Sequence, residues 1–203
     1  MAVEDDSTGS AGSGDDPTNT ELDPPAIQLE KDLVASSTEG ATELTLLRLR
    51  FEVENPGEVA LADLALFDNM AAQFGDDGNG NSVFQGVVPG TLQVITAPAA
   101  DGYSVLNIDQ SYDGDLQDNI LLPTSQLAPG ASGILQVSVR VNTDVSYLAD
   151  PFQNIADVEG YVDQNRDGAA DDNDDNGQID PPVTDFSDDD FDDDAVDEDN
   201  DGD

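Results

Sequence analysis

Thr45-Leu46-Leu47-Arg48-Leu49-Arg50-Phe51-Glu52-Val53-Glu54 is the stretch on which the fold turns. Thr45, Leu47, Leu49, Phe51 and Val53 alternate with Leu46, Arg48, Arg50, Glu52 and Glu54. Successive side chains of a strand point to opposite faces, so this alternation predicts a strand with one face in a core and the other in water. The turn residues Asn55-Pro56-Gly57 end it. The same period returns in Leu135, Val137, Val139 and Val141, set against Gln136, Ser138 and Arg140. It returns again in Ala156, Val158 and Val162, set against Asp157, Glu159 and Tyr161. Ile27, Leu29 and Leu33 share one phase near the start, and Leu64 and Leu66 share another. Only Asn69 to Phe74 reads as a helical turn. Gly75 to Gly80, Pro89-Gly90, Asp113-Gly114 and Pro129-Gly130 separate the runs. Seven or eight short strands broken by Gly and Pro predict an all-β chain, an antiparallel β-sandwich of immunoglobulin-like type.

Charge sets the limits around that core. The 203 residues carry 46 acidic side chains against 5 basic ones, for a formal net charge of -41, with no histidine and no cysteine. No disulfide framework, Cys/His zinc site or Ser–His nucleophile can be built from such a chain. Nucleic acid is excluded as a partner, because five scattered cations make no basic stripe. An anionic membrane surface repels the chain, and no apolar run is long enough to insert in a bilayer. Residues 1–25 hold seven acids and no base, residues 26–162 twenty acids and four bases, and residues 163–203 nineteen acids and one base. The sandwich is therefore placed at 26–162. Residues 1–25 read as an acidic linker or strand from a preceding repeat and 163–182 as an insertion. Residues 183–187 then read as the final strand, and 188–203 as an acidic linker toward a next repeat. Val3-Glu4-Asp5-Asp6-Ser7 echoes Val183-Thr184-Asp185-Phe186-Ser187, which suggests one unit of a tandem array.

The stretches PAIQLEKDL, LTLLRLRFEVENPGEVALADLALFDNMAAQFG, SYDGDLQDNILLPTSQLAPGASGILQVSVRVNT and PFQNIADVEGYV resemble the conserved repeat domain of large bacterial surface and secreted proteins. The motifs that carry the resemblance are Val53-Asn55-Gly57, Asp68-Met70-Phe74-Gly75, Tyr112 to Gly130, and Asn154-Ala156-Val158-Gly160. They span roughly residues 26–187. The resemblance implies an immunoglobulin-like stalk, spacer or adhesive unit outside the cell, and it brings no catalytic residues. Residues 163–182 depart from the pattern, because family members often have a short hairpin there.

That insertion carries the most specific chemistry. Asp163, Asn165 and Asp167 offer oxygens at positions 1, 3 and 5 of a twelve-residue calcium loop, Gly168 makes the turn at 6, and the Ala169 carbonyl is offered at 7. Asp171 falls at position 9 and Asp174 at 12, where a bidentate Glu is usual. A second, overlapping frame runs through Asp172, Asp174, Asn176, Gln178 and Asp180. Neither frame is flanked by an amphipathic helix, so the arrangement is not an EF-hand; it looks more like the type 3 repeats of thrombospondin. Asp197, Asp199 and Asp201 begin a further loop of this kind, and Asp76 opens a weaker candidate whose plainer reading is a turn. The plain reading of the insertion is a solvated acidic linker. Calcium is the expected cofactor, bound at roughly 10⁻⁴–10⁻³ M as extracellular modules bind it.

Lys31, the only lysine, shares the apolar phase of Ile27, Leu29 and Leu33. Asn154 shares the phase of Ala156 and Val158, and Asp68 that of Leu64 and Leu66. A buried lysine, an asparagine and an acid are the ingredients of the autocatalytic isopeptide bond found in some Gram-positive surface domains. The alternative is that Lys31 snorkels from an edge strand and Asn154 satisfies a loop backbone.

The expected function is that of a non-enzymatic, calcium-stabilised structural repeat. The parent would be an extracellular or cell-surface adhesin, surface layer or biofilm-matrix filament. Its partners would be neighbouring repeats or identical subunits, joined by strand addition through Val3 to Ser7, with a host or surface ligand left open. The alternative is a carbohydrate- or protein-binding module on a secreted enzyme, which would need exposed aromatics such as Tyr103, Tyr112, Tyr147 and Tyr161 on one face. Paired carboxylates for hydrolysis carry no signal in so acidic a chain.

Overall fold

A computed structural model describes residues 24–39, 44–75, 80–142, 154–171 and 178–187. The strands are β1 (Gln28–Thr38), β2 (Leu44–Glu54), β3 (Leu61–Phe67), β4 (Phe84–Val87), β5 (Gln93–Thr96), β6 (Ser132–Asn142), β7 (Asp157–Val162) and β8 (Val183–Phe186). One short helix, α1 (Met70–Phe74), follows β3. Asn69 caps it, its side chain accepting from the backbone N–H of Ala72 at 2.8 Å. All strand pairings are antiparallel. One sheet has the order β1-β2-β6-β4, with β5 also paired to β6, and the second has the order β3-β7-β8. The expected antiparallel β-sandwich is the observed architecture.

The alternation that predicted β2 is realised over its second half. Leu49, Phe51 and Val53 are fully buried, opposite Val137, Leu135 and Gly133 of β6. Across the other edge of β2, Leu29 faces Val53, Lys31 faces Phe51 and Leu33 faces Leu49. Thr45 and Leu47 are only half-buried, with Leu47 packed against the edge of the core. Arg50, on the outer face, pairs with Asp32 and Glu52. The second sheet supplies Leu61, Leu64, Leu66, Val158 and Val162 to the same core. At the register shift between Ala62 and Ala65, Asp63 adopts a φ of 50°.

Tyr112 to Gly130 show no alternating pattern, yet most of this segment lines the free side of β3. Leu127 and Leu61 exchange backbone hydrogen bonds of 2.9 and 2.8 Å, and Ile120 donates to the Leu66 carbonyl at 2.7 Å. The side chain of Asn119 accepts from the N–H groups of both Leu66 and Leu121. Ile120, Leu121 and Leu127 enter the core from this ribbon.

Candidate functional site

Two places concentrate chemistry, and β7 connects them. Asn154 lies shortly before β7, and Asp163 follows directly after it.

Beyond β7 the chain curls tightly. Asp163 is wholly buried although it is an acid. Its N–H donates to the Ala60 carbonyl at 2.8 Å, which anchors the loop to β3. Its carboxylate accepts from the N–H of Asp167 at 3.1 Å, the N–H of Gly168 at 2.8 Å and the Tyr103 hydroxyl at 2.6 Å. Asn165 accepts from the Asp167 N–H, and Asp167 accepts from the Ala169 N–H. The side chain of Asp171 accepts from the N–H and the amide of Asn165, while its own N–H bonds the Val162 carbonyl at 2.7 Å. Gly168 has a φ of 88°, which favours glycine, and the Gln126 side-chain oxygen lies 2.9 Å from where a Cβ would stand. The Arg166 guanidinium stands 5.4 Å above the Tyr103 ring. Burial first, and the Asp163 hydrogen bond second, push the Tyr103 hydroxyl well above its ordinary pKa, so it remains a donor.

The structure therefore brings Asp163, Asn165, Asp167, Ala169 and Asp171 into one turn. All the side-chain donors in it are oxygens, which suits a hard cation in chemistry. Among the described residues, however, no three acidic side chains converge on a single ion position. Asp172, Asp174 and Asn176 lie outside the described residues, as do Asp76, Asp197, Asp199 and Asp201. Gln178 and Asp180 are described, just before β8. Tyr103 and Tyr112 are buried and hydrogen-bonded inward, which corrects the idea that they could form an exposed aromatic platform. Tyr161 is half-buried, and Tyr147 lies outside the described residues.

At the other end of β7, the side chains of Lys31 and Asp68 are both 0% exposed, with Nζ 2.9 Å from Asp68 Oδ2. Lys31 Nζ also donates to the backbone carbonyl of Asn154 at 2.9 Å, and it lies 5.4 Å from the centre of the Phe51 ring. The snorkelling alternative is thus overturned. β1 is an edge strand, but Lys31 points with Leu29 into the core because the two share a face. Asn154 is also buried, and it does not satisfy a loop backbone. Its amide nitrogen approaches Met70 Sδ at 3.6 Å, a weak acceptor, and its Oδ1 accepts no hydrogen bond. Leaving such an oxygen unsatisfied costs about 1–3 kcal/mol.

Asp68 Oδ1 takes a 3.3 Å hydrogen bond from Gln73, while Oδ2 has the ammonium beside it and no other partner. Burial raises the Asp68 pKa to about 6, against the attraction of Lys31, which lowers it. Burial likewise raises that of Asp157 at the start of β7. Gln73 and Met70, both contributed by α1, were not anticipated as part of this pocket. The cue available in sequence was that Asp68 directly precedes the Asn69 cap of the helical turn that carries both.

Comparison with family models finds no match, and comparison with curated proteins finds none either. Among solved structures, the chain is similar to the GH20 exo-β-N-acetylglucosaminidase from Vibrio harveyi in complex with N-acetylglucosamine. The identity is 13% and the TM-score 0.36, over 79% of this chain and 17% of that one. It is also similar to an uncharacterized β-sandwich protein from Clostridium difficile 630, with 10% identity and a TM-score of 0.20, over 68% of this chain and 76% of that one. Likeness at this level carries no argument about substrate or partner. The chain spans a small fraction of the glycosidase's length.

Proposed function

We propose that the chain is a non-enzymatic structural module, a β-sandwich spacer of an extracellular bacterial adhesin, surface layer or biofilm-matrix fibre. In this reading its Asp/Asn insertion binds calcium and stiffens the junction beyond β7. The observation that carries the reading is the curl at Asp163. The carboxylate at the first loop position gathers the N–H groups of the fifth and sixth, Asp167 and Gly168, around itself. The oxygen-bearing side chains of Asn165 and Asp167 are thereby drawn into the same turn. By the spacing of the frame, Asp171 at the ninth position and Asp174 at the twelfth would complete the ligand set. Carboxylates held this close repel one another, so a divalent cation stabilises the closed loop against the open one.

Self-association is the finer form of this reading. β8 is the terminal strand of its sheet, and the Val3 to Ser7 segment of a neighbour, similar to β8 in sequence, would extend that sheet by strand addition. The competing module reading, binding of carbohydrate or protein for a secreted enzyme, is weakened by the burial of Tyr103 and Tyr112.

The test is a pair of melting curves in excess calcium and in excess chelator, repeated for Asp167→Ala. Calcium should raise the melting temperature of the native chain and raise that of the variant less. Superimposable native curves would remove calcium from the proposal. Sedimentation in calcium over a range of concentrations then separates a fibre subunit from a spacer. A monomer throughout leaves only the spacer.

A further inference from the structure

The three buried polar side chains at the head of β7 have a geometry that a structural ion pair does not need. We propose that Lys31 and Asn154 become covalently joined through an isopeptide bond, Lys31 Nζ replacing Asn154 Nδ2, with Asp68 as the acid that moves the protons. This goes beyond the spacer reading and does not rest on it.

Three observations carry the proposal. First, the three side chains come from β1, from the end of β3 and from the approach to β7, and all are buried. Side chains from both sheets rarely gather so much polarity in a core without a function. Second, Nζ stands 2.9 Å from Asp68 Oδ2 and 2.9 Å from the carbonyl oxygen of Asn154 itself. Nζ thus already touches Asn154, and rotation about the Asn154 Cα–Cβ bond is the motion that would carry Cγ toward the amine. Third, Asn154 Oδ1 accepts no hydrogen bond, and its nitrogen has only a thioether for company. A structural asparagine would have both ends satisfied. Here hydrogen bonds hold the amide only weakly.

The chemistry balances within the pocket. A proton passes from Nζ to Asp68 Oδ2, leaving a neutral amine beside a carboxylic acid, the form that burial favours. The Nζ lone pair attacks Asn154 Cγ, and the carbonyl π pair moves onto Oδ1, which accepts a hydrogen bond from the Asp68 acid. The tetrahedral centre collapses, and the Cγ–Nδ2 bond breaks. One proton of Nζ, relayed by Asp68, leaves with Nδ2 as ammonia. The product is a secondary amide, and counted from the neutral pair Asp68 ends as it began. Nothing is oxidised or reduced. Preorganisation supplies the rate, since the amine is held against the backbone of the very residue whose side chain it attacks, out of water. The raised pKa of Asp68, about 6, is consistent with an acid able to hold this proton.

The bond would cross the sandwich, tying β1 of one sheet to the entry of β7 in the other, between residues separated by 123 positions. A pull on the chain ends would then bypass the hydrogen-bonded ladders between them.

The test is the intact mass of the denatured native chain, followed by digestion with a lysine-specific protease. The mass should be short by one ammonia. Asn79-Gly80 and Asn176-Gly177 can lose the same ammonia by forming a succinimide, so mass alone is not decisive. Because Lys31 is the sole lysine, digestion decides. An isopeptide-bonded Lys31 resists the protease and leaves the chain in one piece, whereas a free Lys31 gives two fragments. Asp68→Asn keeps both partners and should return the full mass and the cut. A native chain of full mass, cut after Lys31, overturns the proposal whether or not any variant folds.

Discussion

At Lys31 an ammonium occupies an inward position of β1, next to Leu29 and across from Phe51, where most sandwiches would place an aliphatic side chain. Its position was legible, because a period of two assigns every second residue to one face whatever its polarity. Its depth was not, since an edge strand offers a long side chain a way out. What closes that way is the facing sheet, which sets Asp68 and the Asn154 carbonyl against it. Asp68 carries the consequence for pH. Burial raises its pKa from 3.8 to about 6, so the folded state holds its proton more tightly than the unfolded chain does. The stabilisation this gives is complete below about pH 4 and is lost as pH rises through about 6, up to about 3 kcal/mol at roughly 1.4 kcal/mol per unit. In a chain whose Lys31 is still a free ammonium, carbon-detected NMR should find one aspartate carboxyl titrating near pH 6, absent in Asp68→Asn. Where Lys31 is bonded, the attraction that lowers this pKa is gone and the titration should move higher. A spectrum in which every aspartate titrates below 4.5 would refute this.

Among the elements, β7 is the most constrained, since it lies between β3 and β8 and feeds a buried group at each end. Gly160 lets it pack closely. A Cβ at that position would stand 2.5 Å from Leu64 Cδ2 and 3.5 Å from Ile27 Cδ1. Gly160→Ala should therefore destabilise the fold by about 1–3 kcal/mol through overpacking. Urea denaturation measures it, and a midpoint equal to that of the native chain would show that Leu64 yields without strain. Gly133→Ala makes an independent comparison on β6, where the Cβ would meet Leu106 Cδ1 at 2.6 Å.

Strands β2, β6 and β7 announce themselves by alternation, and α1 by its Asn69 cap. The ribbon lining β3 does not, because its contacts are single bridges such as Leu61 to Leu127 and Phe67 to Asn119. Asn119 uses its side chain where a strand would use its backbone. Rich in Asp, Gly, Ser and Pro, that stretch has the composition of a loop and the position of a strand. The turn at Gly168 was legible, since the spacing required a positive φ there. The support that Tyr103 gives Asp163 across 60 positions was not, since no local pattern records it.

For the whole molecule the controlling quantity is the net charge of -41, and two kinds of cation response have to be told apart. Mobile ions screen repulsion among surface carboxylates over a Debye length of about 10 Å at 0.1 M, and any salt does this equally at equal ionic strength. A loop that encloses an ion discriminates by size and coordination. Calcium accepts six to eight oxygens in flexible geometry, whereas magnesium holds to a tight octahedron and keeps its waters. Sodium chloride should thus raise the melting temperature gradually and then level off. At matched ionic strength calcium should raise it further than sodium, and magnesium should fall between the two. The extra calcium increment should shrink in Asp167→Ala, while the sodium response, which depends on total charge, should hardly change. If the three salts give one curve at matched ionic strength, the acids of residues 163–182 act as a diffuse ion atmosphere, and the charge serves solubility in salt instead of a defined junction.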